Sequence, residues 1–570
     1  MANTRKRKLT GARIVIETLL EQGVHTVFGY PGGQVVDIYD ELYRSRRSIR
    51  HILTAHEQGA AHAADGFARV TGQVGTVIAT SGPGATNLVT GIATAMLDSV
   101  PMVIITGNVP TNLIGRDSFQ EINITGITFS ITKHNYFVTD VNELADTIRE
   151  AYRIAAEGRP GPVLVDIPKD VQVAKAYYEP HTKTELDPLA PASMEQILAA
   201  AQIINKAERP YVYFGGGAAA CGMGETLMAF AEKTDAFLGC SFMGLSTVPN
   251  GHIRFLGMEG MHGRYASTMA NVEADVIVAV GVRFSDRATG DTKRYAKRAK
   301  IVQLDVDEAE VNKNVIVDAG LVGDLKETFR LLTEAVEEKK RPAWHARALA
   351  LKEKGREIFN RIDADALSAV TPKQLFEAIN ESKQPDTVIA TDVGQHQMWA
   401  AQYLRFEQPR RFVSSGGLGT MGYGMGAAVG AAVATGQKTV LITGDGSFGM
   451  NLNELATAVS CGIGLVIVVL NNSALGMVRQ MQTFFYGGRY AHTTLSRGTD
   501  FVKLAEAFGA GGERVFSIEE FRAAFARGME MKGVFLIDVP IDKDELVLPM
   551  LPAEGALEEL IVTDERKLKQ

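Results

Sequence analysis

An aspartate boxed by glycines ends one apolar run of this chain, and an asparagine ends the next. Thr439-Val440-Leu441-Ile442 leads into Gly444-Asp445-Gly446-Ser447-Phe448, and the run 465–470 leads into Asn471-Asn472, 27 residues beyond Asp445. Short unbroken apolar runs read as strands buried on both faces. The helical stretch 453–460 between them supplies the crossover that two parallel strands need. The segment is thereby constrained to a parallel sheet whose carboxyl edge presents Asp445 and Asn472 side by side, where open α/β sheets bind ligands. One carboxylate and one amide oxygen are hard donors. They suit Mg²⁺, which takes few protein groups and fills its octahedron with phosphate oxygens and water. The flanking glycines let a diphosphate approach backbone N–H groups.

At 570 residues the chain is too long for one core, and three domains are expected. Two stretches lack hydrophobic periodicity and read as linkers. One is 178–192, with Pro180, Pro188 and Pro191; the other is 337–364, opening on Glu337-Glu338-Lys339-Lys340-Arg341-Pro342. They leave domains at 1–177, 193–336 and 365–545, with a tail at 546–570. Each domain alternates apolar runs with helical patterns, which predicts an α/β protein of three doubly wound parallel sheets. The first and third domains share a plan. Thr76-Val77-Ile78-Ala79-Thr80 enters Gly82-Pro83-Gly84, then a helix, then Met102-Val103-Ile104-Ile105 ending at Gly107-Asn108, much as 439–472 runs. Two such units could form a pseudo-symmetric pair with a cofactor between them; chance similarity of α/β patterning is the competing explanation.

A net charge of −7 argues against a nucleic-acid partner. The short basic run Arg5-Lys6-Arg7-Lys8 reads as a solvated tail. Cys221, Cys240 and Cys461 fit neither a metal spacing nor a disulfide framework, so a reducing cytoplasm is expected. No segment has the length and apolarity of a membrane span, and no signal peptide or organellar presequence is evident. Gly417-Leu418-Gly419-Thr420-Met421-Gly422 follows the apolar Phe412-Val413 and matches the dinucleotide fingerprint, which supports an NAD-dehydrogenase reading. Against it, Asp445 lies inside Gly-Asp-Gly with Asn472 placed to share its ligand, which a dinucleotide fold does not require.

The Asp445–Asn472 pattern resembles the metal–diphosphate motif of thiamine diphosphate enzymes. Further motifs narrow the likeness: Phe28-Gly29-Tyr30-Pro31-Gly32-Gly33, His56-Glu57-Gln58-Gly59-Ala60, Thr80-Ser81-Gly82-Pro83-Gly84-Ala85-Thr86-Asn87, Phe119-Gln120-Glu121, Gly158-Arg159-Pro160-Gly161-Pro162, Val393-Gly394-Gln395-His396-Gln397-Met398-Trp399 and Arg489-Tyr490. Together they resemble the catalytic subunit of acetohydroxyacid synthase, also called acetolactate synthase, from about Leu9 to Met550.

The resemblance implies pyrimidine-binding, FAD-binding and diphosphate-binding domains, in that order, with thiamine diphosphate held between the first domain of one subunit and the third of another. Glu57 would hydrogen-bond the aminopyrimidine, near Tyr30, Pro31 and Asn87. Val393, Gly394, Gln395 and His396 would meet the diphosphate, as would Gly444, Asp445, Gly446 and Ser447. Gly419, Gly476 and Met477 would complete that cofactor's surroundings, and Met421 would prop it into a bent shape. Asp445, Asn472 and Ala474 would hold Mg²⁺. Arg159, Met261, His262, Gly263 and Arg283 resemble FAD contacts. Gly215, Gly216, Gly217, Asp305 and Asp324 end apolar runs in the same domain. The FAD would be structural, without redox turnover.

The implied reaction decarboxylates pyruvate and condenses the two-carbon unit with a second 2-oxo acid, pyruvate or 2-oxobutyrate, the first common step of branched-chain amino-acid biosynthesis. Gly33 and Gln120 would lie near the reacting oxygens, Lys169 in the entry channel, and Arg287 on the acceptor carboxylate, a bidentate task that suits a guanidinium. Phe119, Met261 and Met481 would line the substrate. A bacterial cytoplasmic homodimer or homotetramer, with a possible small regulatory subunit, is the implied setting. Three positions depart from the family pattern: Gln34 where alanine is usual, Glu259 inside a normally apolar run, and Met481 where tryptophan is common. A related carboligase or a pyruvate oxidase-like enzyme is the alternative, and a non-catalytic relative a further one. Glu57 argues against glyoxylate carboligase, which lacks that acid.

Overall fold

The computed structural model describes residues 6–552 and 554–563. Three six-stranded sheets, each with all its strands parallel, carry the chain. In the first domain the order is Arg50–Leu53, Thr26–Tyr30, Gly75–Ala79, Met102–Asn108, Pro162–Pro168, His134–Phe137. In the third it is Phe412–Val413, Ile389–Thr391, Thr439–Gly444, Leu465–Asn471, Val534–Pro540, Gly511–Arg514. Numbered along each domain, both read 2-1-3-4-6-5, so the two units are topological copies. The middle sheet reads 3-2-1-4-5-6, from Phe255–Met258 at one edge to Ala319–Val322 at the other. That is the order of dinucleotide-binding folds, with its switch point between Pro210–Phe214 and Val276–Val280. The dinucleotide topology therefore belongs to the middle domain and not to the Gly417–Gly422 loop.

The copies are clasped through two helices, Glu57–Thr71 and Tyr423–Thr435. Small residues let their backbones touch. A Cβ at Gly430 would lie 1.8 Å from the Ala63 carbonyl oxygen, and one at Gly66 2.2 Å from that of Ala427. Leu88, Ile92, Met425 and Leu441 complete a core shared by the two domains. Arg69, bonded to Asp65 at 2.6 Å and to Asp98 at 2.8 Å, satisfies the charges buried beside this seam.

Three segments differ from their sequence-based reading. Arg7 and Lys8 do not trail in solvent. They belong to a strand, Arg7–Thr10, antiparallel to Lys175–Tyr178, and Lys6 pairs with Glu179; Arg5 lies outside the described residues. The stretch 337–364 contains a 23-residue helix, Pro342–Ala364, that buries Trp344 and donates its indole N–H to the Pro210 carbonyl at 2.9 Å. Much of 546–563 is no free tail either: Leu551 and Leu557 pack into the middle domain, and Leu551 donates its N–H to the Met261 carbonyl at 2.7 Å. Residues 553 and 564–570 lie outside the described residues.

Candidate active site

The third domain places its polar set along one sheet edge. Asp445 leaves strand Thr439–Gly444 and opens the short helix Asp445–Phe448. Burial pushes its carboxyl up to about 6, while the backbone N–H groups of Asn472 and Gly446 pull the other way. Asn472 leaves the adjacent strand. Its side-chain oxygen accepts the Ala474 N–H at 3.0 Å, and its amide donates to Gln395 at 3.1 Å. Gln395 is fixed in turn by the Glu545 carbonyl at 2.7 Å. Only glycine fits at 476, where a Cβ would lie 1.9 Å from the Gln395 side-chain oxygen. Gly394, at φ 155°, brings the chain past His396. Burial drives His396 down to about 3, so the ring is neutral, and its Nε2 has no partner among the described residues.

This donor set fits Mg²⁺ and a diphosphate. A buried carboxylate, an amide oxygen and neighbouring backbone groups meet beside glycines, and a cation is what such a carboxylate lacks. Among the described residues no cluster of three His, Cys, Asp or Glu forms a competing metal cage.

A cavity of about 500 Å³ lies between the middle and third domains. Val393, Gly394, Gly419, Met421, Met477 and Met481 line it from the third domain. Gly216, Gly217 and Arg283 border it where the middle sheet switches, and Met261, His262 and Asp305 line it too. Arg159 reaches in from the first domain, held by Glu310 at 2.6 Å, Asp307 at 3.3 Å and the Ser99 hydroxyl at 2.9 Å. Asp305 is pushed up to about 6 by burial, and Glu310 and Asp307 add to the rise. The His262 Nδ1 contacts the Pro549 carbonyl at 3.2 Å, its Nε2 has no partner among the described residues, and burial lowers the ring to about 4. Arg287 touches the Met261 sulfur at 3.6 Å and is otherwise largely exposed. These groups fit an extended flavin dinucleotide.

Three residues expected at the flavin do not line the cavity. Gly215 backs onto the Gly281 carbonyl, and Gly263 closes a turn onto Gly260. Asp324 caps helix Leu325–Ala335 through the Glu327 N–H at 2.7 Å.

The first-domain set also lies outside that cavity and forms a face of its own. Glu57 opens helix Glu57–Thr71, is 9% exposed, and takes the Asn87 side-chain amide at 2.9 Å. Tyr30, Pro31 and Gly33 are exposed, and Phe119 is 85% exposed. Phe119 and Gln120 ride a loop folded around the Glu121 carboxylate, which accepts the N–H groups of Gly115, Arg116 and Ser118. Gln120 sits at φ 61° against Gly82. Lys169 pairs with Asp37 at 2.5 Å and donates to the Gly33 carbonyl at 3.2 Å. The Gln34 carbonyl, beside it, accepts from Gln172 at 2.7 Å. Glu57 and Asp445 thus belong to separate copies of the fold, and no hydrogen bond links them.

Sequence reasoning missed three supporting acids. Asp392, fully buried, accepts the Gly422 N–H at 2.8 Å and the Thr443 hydroxyl at 3.2 Å. Glu454 reaches across the seam to the Ala55 N–H at 3.1 Å, and burial raises its carboxyl. Asp98 receives the Gly416 and Gly417 N–H groups. Their partners lie up to about 400 residues away in the chain, so no local pattern marks them.

Family models describing the N-terminal, central and C-terminal domains of thiamine pyrophosphate enzymes match residues 9–127, 197–332 and 392–539. The chain is a thiamine diphosphate-dependent enzyme. It is 44% identical to a probable acetolactate synthase large subunit of Methanocaldococcus jannaschii, over 99% of this chain and 97% of that protein. It is 44% identical to the acetolactate synthase large subunit of Corynebacterium glutamicum, over 96% and 89%, and 42% identical to the isozyme 2 large subunit of Escherichia coli, over 97% and 99%. The chain belongs to the acetolactate synthase large-subunit family of thiamine diphosphate-dependent carboligases.

Proposed function

We propose that this enzyme joins two 2-oxo acids: pyruvate loses CO2, and its two-carbon unit is transferred to pyruvate or 2-oxobutyrate, giving 2-acetolactate or 2-aceto-2-hydroxybutyrate for branched-chain amino-acid synthesis. The observation that carries this reading is that two sheets of the same topology carry the two polar sets, one with Asp445 and Asn472, the other with a buried Glu57 bonded to Asn87. Thiamine diphosphate, when bound, supplies the electron sink for decarboxylation.

The chain's own residues do the rest. Asp445, Asn472 and the Ala474 carbonyl hold Mg²⁺. Gly444, Gly446, Ser447 and the segment 393–396 take the diphosphate. Met421 would support the cofactor, with Gly419 and Met477 lining the same cavity. Glu57 holds a proton at its carboxyl for exchange with the pyrimidine ring, a general acid–base role. The Gly33 N–H and Gln120 donate to developing negative charge, and Tyr30, Pro31 and Phe119 wall off water. Lys169 draws the anionic substrate in, and Arg287 takes the acceptor carboxylate. Met481 and Met261 border the acceptor's alkyl end.

FAD in the middle cavity serves as a structural element. The family resemblance implies a cofactor between the first domain of one subunit and the third of another, so the working unit is a homodimer or a higher homo-oligomer. The relatives are called large subunits, which supports a small regulatory partner. Among the described residues no helix is long and apolar enough to cross a membrane, in keeping with a cytoplasmic enzyme.

One feature favours a second reading. The cavity runs without a break from the dinucleotide switch point to Met421, an arrangement that would also serve a flavin-linked pyruvate oxidase. Product analysis with pyruvate, with and without an electron acceptor, separates the two. Acetolactate formed with the flavin still oxidised supports the synthase; acetate with stoichiometric flavin bleaching overturns it.

A further inference from the structure

Glu259 stands in the wall of the cofactor cavity yet is only 3% exposed, at the end of strand Phe255–Met258. It is the hub of a buried polar cluster. Its Oε2 lies 2.9 Å from the Tyr211 hydroxyl, which lies 2.8 Å from the Ser267 hydroxyl, which lies 2.8 Å from the Gly257 carbonyl. The Asn271 amide donates to Oε2 at 3.1 Å and to the Tyr295 oxygen at 2.8 Å, and the Tyr295 hydroxyl donates to Oε1 at 3.3 Å. The cluster is built in tightly: a Cβ at Gly239 would sit 1.7 Å from the Tyr211 oxygen.

Counting protons fixes the state of the acid. The row Gly257 carbonyl, Ser267, Tyr211, Glu259 contains three oxygen–oxygen contacts at hydrogen-bond distance, and each needs one proton. The carbonyl has none to give. The two hydroxyls supply two, so the third belongs to Glu259. The titratable groups facing the carboxyl are Tyr211 and Tyr213 on one strand, Cys240 on the next, and Tyr295, all neutral at pH 7. Arg283 and Arg287 line the same cavity, but no hydrogen bond or ion pair between either of them and Glu259 is seen. Burial accordingly pushes the carboxyl up to about 8.

The acid's backbone leads straight into the segment that borders the cavity. Gly260, at φ 106°, presses on the Arg287 carbonyl, Met261 donates its N–H to that carbonyl at 2.7 Å, and His262 follows. We propose that Glu259 is a positioning residue, an uncharged carboxylic acid whose tyrosine–asparagine cluster fixes the turn carrying Met261 and His262 against the bound flavin and Met261 against Arg287. This inference rests on the reading that FAD occupies the cavity.

The test compares wild type, Glu259→Gln and Glu259→Leu. Affinity for FAD is measured by flavin-fluorescence quenching from about pH 6 to pH 9.5, and the melting temperature of the flavin-free protein over the same range. The amide mimics the neutral acid, so Glu259→Gln should bind FAD within about twofold of wild type near neutrality. It should also keep that affinity at high pH, where wild type loses it as the acid ionises. Leucine takes away the carboxyl that joins Tyr211, Asn271 and Tyr295 and should weaken FAD about tenfold at every pH. The sign for stability follows from linkage. The folded protein keeps a proton that the unfolded chain has released, so wild type loses stability as pH rises from the ordinary carboxyl range toward 8. The melting temperature of Glu259→Gln should therefore gain on wild type between pH 6 and 8 and then level. A wild-type affinity flat to pH 9.5, or a leucine variant that binds FAD as wild type does, overturns the proposal. If wild type binds no FAD, the flavin reading fails separately. The melting curves then decide alone: a gain by Glu259→Gln sustains the neutral anchor, and parallel curves overturn it.

Discussion

The Asp98 carboxylate accepts the backbone N–H of Gly417 at 2.7 Å, and that of Gly416 at 3.0 Å. It also receives Arg69 at 2.8 Å. The first domain thus holds the loop of the third that ends at Met421. Asp98→Ala strands two N–H groups and half of a buried guanidinium's partners, and should cost about 3 kcal/mol. Urea unfolding measures it, with thiamine diphosphate affinity as a second readout. An unchanged midpoint would show that the loop is held by something else.

Removing the Asp445 carboxylate should abolish both Mg²⁺-dependent cofactor binding and turnover, since the diphosphate is left without its bridge. The metal-free carboxyl titrates near 6 because it is buried. Protons therefore compete with the cation, and Mg²⁺ affinity should fall as pH drops through 6 and hold steady above it. Calorimetric titration of Mg²⁺ at pH 5 and 7.5, on wild type and Asp445→Ala, checks this. Full activity after chelation and gel filtration would remove the assignment.

Glu57→Gln keeps the shape and the Asn87 contact but cannot trade a proton. Binding of thiamine diphosphate should survive, while exchange of its C2 hydrogen with deuterium slows by about 10²–10⁴-fold. The exchange is read by quenched-flow NMR. Wild-type exchange in the variant would take Glu57 out of this role.

Met481 lines the cavity together with Met421 and Met477. Pyruvate and 2-oxobutyrate differ by one methylene, from which a shaped apolar pocket extracts about 1–3 kcal/mol. A flexible thioether loses rotamer entropy on ordering and should use little of that range. Met481→Trp should raise the share of 2-aceto-2-hydroxybutyrate in mixed-substrate competition and leave pyruvate decarboxylation nearly unchanged. A wild type that already strongly favours 2-oxobutyrate would falsify this view of the position.

What could be read from the chain depended on how local the signal is. Asp445 and Asn472 are legible because two apolar strands and one crossover fix their meeting, and the pattern needs only 27 residues. The copied topology of the first and third domains was foreshadowed by Gly82-Pro83-Gly84 and Gly107-Asn108. Helix Pro342–Ala364 was hidden by its first residue. Proline reads as a breaker, yet at the start of a helix its missing N–H is no loss. The packing of Leu551 and Leu557 leaves no periodic trace, because isolated apolar residues in irregular chain carry none. Glu259 showed in sequence only as a misfit; its partners Tyr211, Asn271 and Tyr295 come from a strand, a helix and a turn, and only folding assembles them.

If the centre is completed across a subunit interface, as proposed above, the placing of Glu57 and Asp445 in different domains has a genetic consequence. A centre made from both half-sites draws each half from a different copy. Two variants dead for opposite reasons, Glu57→Gln and Asp445→Ala, should then rescue one another when co-expressed or refolded together. Each mixed pair holds one centre with both faults and one with neither. Random pairing makes half of the dimers mixed, so about one quarter of wild-type activity should return, from a mixture of two chains that are each inactive alone.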